Sequence, residues 1–282
     1  MIKVISAGFY TSIQDLGRLG FRDLGVSVSG VMDLYSAKFA NTILNNHTND
    51  AVLEITLGKC KLIAGNECVI CVSGADFSAR LNHELIHLNT AIKLNKNDLL
   101  TFDKPVIGVR AYLAIKGGFQ TAVVLKSRSY FNTITSQYLV KNGDVLPTIE
   151  TCIDFRESNA SVRIDSTHFT TRSIEAYKGP EYELLSALQK SKLEQILFTI
   201  SKDNNRMGYR LEEPLTNSLK AILTSSVMPG TVQLTPSGTL IALMRDCQVT
   251  GGYPRVLQLT ELGISKLAQK STNDCFRFKL IS

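Results

Sequence analysis

The sequence predicts a mostly β protein with a few helices, an α+β chain whose two halves are laid out alike. Three observations predict it. Short runs rich in Val, Ile and Leu recur along the chain, broken by Gly, Asn and Asp at hairpin-like intervals. Only two segments space their apolar residues as a helix does. The chain has 282 residues, of which 44% are hydrophobic and 20% charged, enough for a sizeable core in one large domain or two intimate halves.

The strand runs come first. "AVLEITLG", "CKLIAG", "CVICVSGAD", "DLLTFD" and "VRAYLAIKGG" follow one another in the N-terminal half, residues 1–150, and suggest an antiparallel barrel or sandwich. "LNHELIHLNT" reads as a hairpin with Asn82-His83 at its turn. A helix is expected at "DLYSAKFANTILN", capped by Asp33, with Leu34, Ala37, Ala40, Ile43 and Leu44 on one face. Residues 151–175 are more polar and read as a connection, with a strand at "SVRI". The C-terminal half, 176–282, opens on a second helical region containing Leu184, Leu185, Leu188, Leu193, Ile196 and Leu197, after which strands run to the C-terminus.

Several function classes are excluded. The net charge is +6, but Lys and Arg are scattered and form no basic stripe, so no nucleic-acid partner is expected. No apolar run approaches the ~20 residues that span a membrane. The first residues turn polar too early for a signal peptide, which predicts a cytoplasmic chain whose six cysteines are free thiols. No Walker loop and no dinucleotide fingerprint occur. Cys68 and Cys71, followed by His83 and His87, have nearly the spacing of a zinc site. On a strand, however, residues three apart point to opposite faces, so no metal is expected.

Four polar clusters remain. The first holds Gln14, Asp15, Arg18 and Asp33, and the second ends a buried strand at Asp76. The third is "NNRMGYRL", with Arg206, Tyr209 and Arg210. The fourth, "DCQVTGGYPRV", places Asp246, Gln248, Thr250, Gly251, Gly252 and Tyr253 between two apolar strand-like runs, with Gln233 shortly before. Gly251 and Gly252 are expected to form a tight turn there. Each residue taken singly also has a structural reading, as a loop acceptor, a surface ion pair or a turn glycine. Together they combine an Arg fork, which suits carboxylate or phosphate, with carboxamides that match an amide edge.

These same stretches resemble the C-component family of 5-oxoprolinases. "TSIQDLGRLGFRDLGVSVSGVMD", "AVLEITLG", "VSGAD", "VRAYLAIKGGF", "NNRMGYRL" and "DCQVTGGYP" follow the family's order and spacing, from about residue 5 to residue 278. The family is also called KipA-like, or allophanate hydrolase subunit 2, and is similar to part of the carboxyltransferase domain of urea carboxylase. The resemblance implies two cyclophilin-like β-barrel halves. It implies two partners, a KipI-like B component and a LamB/YcsF-like A component, in the ATP-dependent opening of 5-oxoproline to glutamate. ATP would serve the complex, at a site this sequence does not locate. Biotin carried on this chain is not expected, since no Met-Lys-Met stretch occurs.

On this resemblance Asp246, Tyr253 and Arg206 are the catalytic candidates. Arg210, Tyr209, Gln233, Gln248, Thr250, Gly251 and Gly252 are expected to bind a small amide or carboxylate substrate. Gln14, Asp15, Arg18, Asp33 and Asp76 would line a second pocket or a partner surface. Asn205 and Val249 stand where the family commonly carries Asp and Thr. Two other readings stay open: a KipA-type regulatory protein countering a KipI-like kinase inhibitor, and a carboxyltransferase using biotin carried on another chain.

Overall fold

A computed structural model describes residues 1–149 and 165–281. The chain is mostly β and forms two barrel-like units. Unit 1 comprises Met1–Arg18 and Ser29–Phe169; unit 2 comprises Leu19–Val28 and Thr170–Ser282. Most of the connection expected over 151–175, including the strand at 161–164, lies outside the described residues.

Unit 1 is built on two sheets. The first orders its strands Val145–Leu146, Ile2–Ala7, Cys60–Ala64, Leu99–Thr101, Arg80–Leu81, Glu84–Leu85. The second runs Tyr10–Gln14, Val52–Thr56, Ile107–Ile115, Cys68–Asp76, Ala91–Leu94. Strand alternation explains how the second sheet buries both faces. Along Cys68–Asp76, Cys68, Ile70 and Val72 enter the core that both sheets share. Val69 and Cys71 face the other way, where Ala37 and Ala40 of helix α1 (Leu34–Ile43), with its C-cap residue Leu44, cover the sheet. Cys68 and Cys71 therefore diverge, as their spacing on a strand requires. Burial pushes their thiols up to about 11 and about 12 respectively.

Local signals behave as expected. Asp33 caps α1 by accepting from the Ser36 amide at 3.1 Å. Asn82 and His83 take φ of 48° and 77°, the left-handed pair that a two-residue type I′ hairpin needs. Gly74 sits at φ +87°, where an added Cβ would stand 2.6 Å from the Arg110 carbonyl oxygen. Close approach of the neighbouring strand and a left-handed backbone both select glycine there.

Unit 2 is a closed seven-stranded barrel. Its order is Ser173–Lys178, Arg255–Leu259, Thr231–Leu234, Leu240–Leu243, Gly208–Leu211, Phe198–Asn204, Cys275–Leu280. The last strand returns to the first by parallel pairing. A two-stranded ribbon, Ser225–Ser226 with Thr250–Gly251, stands apart from the barrel.

The helices of unit 2 differ from the sequence expectation in two ways. Helix α3 (α2 being the single turn Thr167–Thr170) spans Ala187–Gln195 and begins at a Ser186/Gln189 capping box. Leu184 and Leu185 precede that cap, so they do not share its face, and Leu188 is exposed; only Leu193 of α3 is buried. A fourth helix, α4 (Glu261–Ala268), occupies a stretch read as strand. Thr260 caps it and Ile264, Leu267 and Ala268 pack inward. Gly263 lets it approach the first barrel strand, since a Cβ there would lie 2.5 Å from the Glu175 carbonyl oxygen.

Candidate functional site

Unit 2 carries a cleft of about 570 Å³. The strand Gly208–Leu211 alternates, so Tyr209 and Leu211 are buried in the barrel while Arg210 is exposed. Arg210 therefore lines the cleft and Tyr209 does not. Parity within "GYRL" carried that signal in the sequence. Gln233, buried on Thr231–Leu234, forms another wall, with Gln248 and Tyr253 beside it. Lys202 and Asp203, at the end of strand Phe198–Asn204, also line the cleft, as do Ile241 and Leu243. These four were not expected from the sequence. A Lys-Asp pair at the end of a strand carries no local signal that would single it out.

The two glutamines touch loosely. Gln248 donates to Gln233 Oε1 at 3.4 Å, and Gln233 donates to the Tyr253 carbonyl at 3.5 Å. Both distances are long for N–H···O bonds, so a better partner can replace them. Gln233 needs room, and Gly251 supplies it: a Cβ at Gly251 would lie 2.5 Å from Gln233 Nε2. This corrects the expected Gly-Gly turn. Gly251 pairs with Ser225 as part of a strand, the Gly252 carbonyl accepts from the Ile222 amide at 2.9 Å, and neither glycine has positive φ. The glycine at 251 is there for close approach.

Arg206 and Asp246 lie behind the cleft, not among its lining residues. Arg206 donates from Nε to Asp246 Oδ2 at 2.8 Å and from Nη2 to Oδ1 at 3.0 Å. Both side chains are buried. Main-chain bonds run alongside: the Asp246 amide donates to the Arg206 carbonyl at 2.8 Å, and the Met244 amide to the Met207 carbonyl at 2.9 Å. Asn205 Oδ1 accepts from Met207 N at 2.7 Å and from Gly208 N at 3.3 Å. A side-chain acceptor is what this turn uses at position 205, and Asn supplies it. The pair thus braces the two loops that carry the cleft walls. The guanidinium available to a ligand is Arg210.

A second brace holds the ribbon. Arg255 donates to both Glu181 oxygens, at 2.8 and 3.0 Å, and to the Ser226 carbonyl at 3.0 Å. The Arg255 hydrogen bonds keep the Glu181 carboxyl below its ordinary range. Arg22, from the short segment that unit 2 includes, donates to the Val227 carbonyl, and Ser27 donates to the Cys247 carbonyl at 2.7 Å.

The five residues expected to form a second pocket all belong to unit 1 and are tied into its frame. Gln14 donates to Ser12 Oγ and the Tyr130 carbonyl. Asp15 accepts from Ser127, Ser129, Gly17 N and Arg128 N. Arg18 donates to the Ser129 carbonyl. Asp33 bonds Ser36 Oγ at 2.6 Å and His168 at 2.9 Å, and Asp76 caps the turn at Ser78. Asp15 lines a hollow of about 300 Å³ with His47, Asn49, Lys126 and Arg128. Gln14, Arg18, Asp33 and Asp76 are not among its lining residues. No helix among the described residues is long and apolar enough to cross a membrane.

Comparison with known proteins gives this geometry a lineage. Residues 24–280 match the family model described as "Carboxyltransferase domain, subdomain A and B". The C subunit of Escherichia coli 5-oxoprolinase is 32% identical over 275 residues, covering 95% of this chain and 87% of that protein. Its Haemophilus influenzae namesake is 28% identical, covering all of this chain and 92% of that one. The solved urea carboxylase of Kluyveromyces lactis superposes with a TM-score of 0.88 at 26% identity; it covers all of this chain, which spans 27% of that much longer protein. The chain therefore belongs to the carboxyltransferase-domain family of subdomains A and B, the family it shares with the 5-oxoprolinase C subunits.

Proposed function

We propose that this chain is the C component of an ATP-dependent 5-oxoprolinase, working with a KipI-like B component and a LamB/YcsF-like A component. The observation that carries this reading is the near end-to-end relationship to the E. coli C component. The cleft chemistry supports it. 5-Oxoproline is a cyclic amide bearing one carboxylate. Arg210 and Lys202 offer it cations, and Gln233 and Gln248 each offer a donor and an acceptor to an N–C=O edge. Tyr253 lines the same cleft and is the candidate for passing or orienting a proton. Arg206 and Asp246 act in this reading by holding the walls. The nucleotide is handled by the assembled complex, and this chain supplies the cleft.

The likeness to urea carboxylase favours a second reading, carboxyl transfer from biotin carried on another chain. Its ureido group presents the same N–C=O edge. The deciding experiment is phosphate release driven by 5-oxoproline, measured with this chain alone and with both partner components added. Activity that needs all three chains supports the proposal. Full activity from this chain alone refutes the partnership. Carboxyl transfer from a biotinylated carrier, with no 5-oxoproline-dependent phosphate release by the full set, selects the second reading.

A further inference from the structure

Strand register sets the groups of the unit 2 cleft in one row. Arg210 pairs with Ile241 across Gly208–Leu211 and Leu240–Leu243, and Ile241 pairs with Gln233 across Leu240–Leu243 and Thr231–Leu234. Residues directly opposite one another on adjacent strands share a face of the sheet. The row therefore reads guanidinium, branched hydrocarbon, carboxamide, and all three residues line the cleft. Neighbouring strands lie about 4.8 Å apart, so the two polar residues stand roughly 10 Å apart at the backbone, with Ile241 midway.

Ile241 is held in place and left bare. It is partly buried and packs against the cluster of Val227, Leu243 and Cys247. Gly208, on the neighbouring strand, has no side chain to cover it: a Cβ there would stand 3.2 Å from Ile241 Cγ2. The charges gather at one end of the row. Pairing between Phe198–Asn204 and Gly208–Leu211 slips between Ile200 and Asn204, and Lys202 and Asp203 sit in that irregular stretch. Lys202, Asp203 and Arg210 are the charged residues of the lining and leave one net positive charge. That balance suits a single carboxylate. A polar group laid over Ile241 would lose water and find no partner in the hydrocarbon.

We propose that Ile241 is the specificity-determining residue of this cleft. It accepts the unsubstituted methylene edge of a small molecule whose carboxylate is held by Arg210 and whose N–C=O edge is read by Gln233, and it disfavours a hydroxyl on that edge. The inference rests on the reading of this cleft as the substrate site and adds what selects the middle of the substrate. In 5-oxoproline two ring methylenes join the carboxylate-bearing carbon to the lactam carbonyl, and those methylenes lie over Ile241.

The test compares 5-oxoproline with both epimers of 4-hydroxy-5-oxoproline, which add one hydroxyl to a ring methylene and keep the carboxylate and the lactam. Calorimetric titration of the full chain gives affinities, and the methyl NMR signals of Ile241 show contact. 5-Oxoproline should shift those signals, and at least one epimer should bind the parent ~10–100-fold more weakly. Ile241→Thr gives the added hydroxyl a partner, so most of that gap should close. Ile241→Val keeps an apolar floor and should preserve it. Where the chain needs its partners to bind, the ratio of kcat/KM in the three-component complex takes the place of affinity. The proposal is overturned if both epimers bind the parent as 5-oxoproline does, if Ile241→Thr keeps the gap, or if 5-oxoproline binds without shifting Ile241. Phosphate release by the complex separates this failure from failure of the proposed function. Turnover of 5-oxoproline with a preference independent of residue 241 overturns this inference alone. A preference set by residue 241 with no turnover by the complex overturns the proposed function alone, and neither binding nor turnover overturns both.

Discussion

Replacing Asp246 with Asn should destabilise unit 2 far more than its position beside a cleft suggests. The Arg206 and Asp246 side chains are only 6% and 10% exposed, and two charge-assisted bonds join them. Asn keeps the shape but turns an NH2 donor towards a guanidinium that also donates. Removing one partner of a buried pair typically costs ~3–5 kcal/mol, because the other charge stays buried. For a unit of this size each kcal/mol lowers the melting temperature by ~3–5 °C, so a fall of ~9–25 °C is expected. Arg206→Lys keeps the charge and one bond but loses the fork, a milder loss of ~1.5–3 kcal/mol. Calorimetry of both variants gives the magnitudes. Hydrogen exchange at the amides of Met207, Gly208 and Asp246 shows whether the loops loosen together. A double variant with apolar residues at both positions should recover much of the loss. If Asp246→Asn melts within ~2 °C of the parent with protection unchanged, the pair is not a brace. The carboxylate would then have to be explained by the chemistry of the cleft.

Three other outcomes follow from the same site. Tyr253→Phe should leave the melting temperature nearly unchanged, since Tyr253 is 41% exposed. It should slow the reconstituted complex by ~10²-fold or more if the hydroxyl handles a proton; normal turnover would remove Tyr253 from that role. Gly251→Ala should fold almost normally, because the one short contact of its Cβ is with the movable end of Gln233, and Val227 Cγ1 at 3.5 Å is an ordinary contact. It should nonetheless raise KM by displacing that amide, and an unchanged KM would mean that Gln233 does not contact substrate. Glu181 has its carboxyl depressed by Arg255, so the unfolded chain binds its proton more readily than the folded one. The stability it contributes is then complete above the ordinary carboxylate pKa of ~4.3 and fades as pH falls through the lower folded value. Parent and Glu181→Gln should therefore converge in stability on acidification, as urea titrations across that range can show; a widening gap would contradict the assignment.

The sequence by itself determined whatever depends on neighbours along the chain. Asp33 caps α1 because a short acceptor three residues before the Ser36 amide is a local arrangement. Asn82-His83 turns because the hairpin needs two left-handed residues there. Cys68 and Cys71 diverge because strand parity is a property of one segment. Strand parity would also have separated Tyr209 from Arg210, had it been applied to "GYRL". The α4 helix escaped because "VLQLTELGISKL" is apolar enough to continue a strand; its local signal was the Thr260 cap, and its packing on the first barrel strand adds to it.

The roles of the polar residues were decided by tertiary structure. Arg206 meets Asp246 across 40 residues of sequence, and nothing local in either cluster tells a brace from a substrate ligand. Gly251 looked like a turn and proves to be the space that Gln233 occupies, a relation set by two strands arriving side by side. Lys202 and Asp203 join the cleft because barrel closure brings the end of their strand to its mouth. Composition and spacing name the groups a chain possesses. Whether a charge is spent on another side chain or left for a ligand depends on contacts between distant segments, and those exist only once the chain has folded.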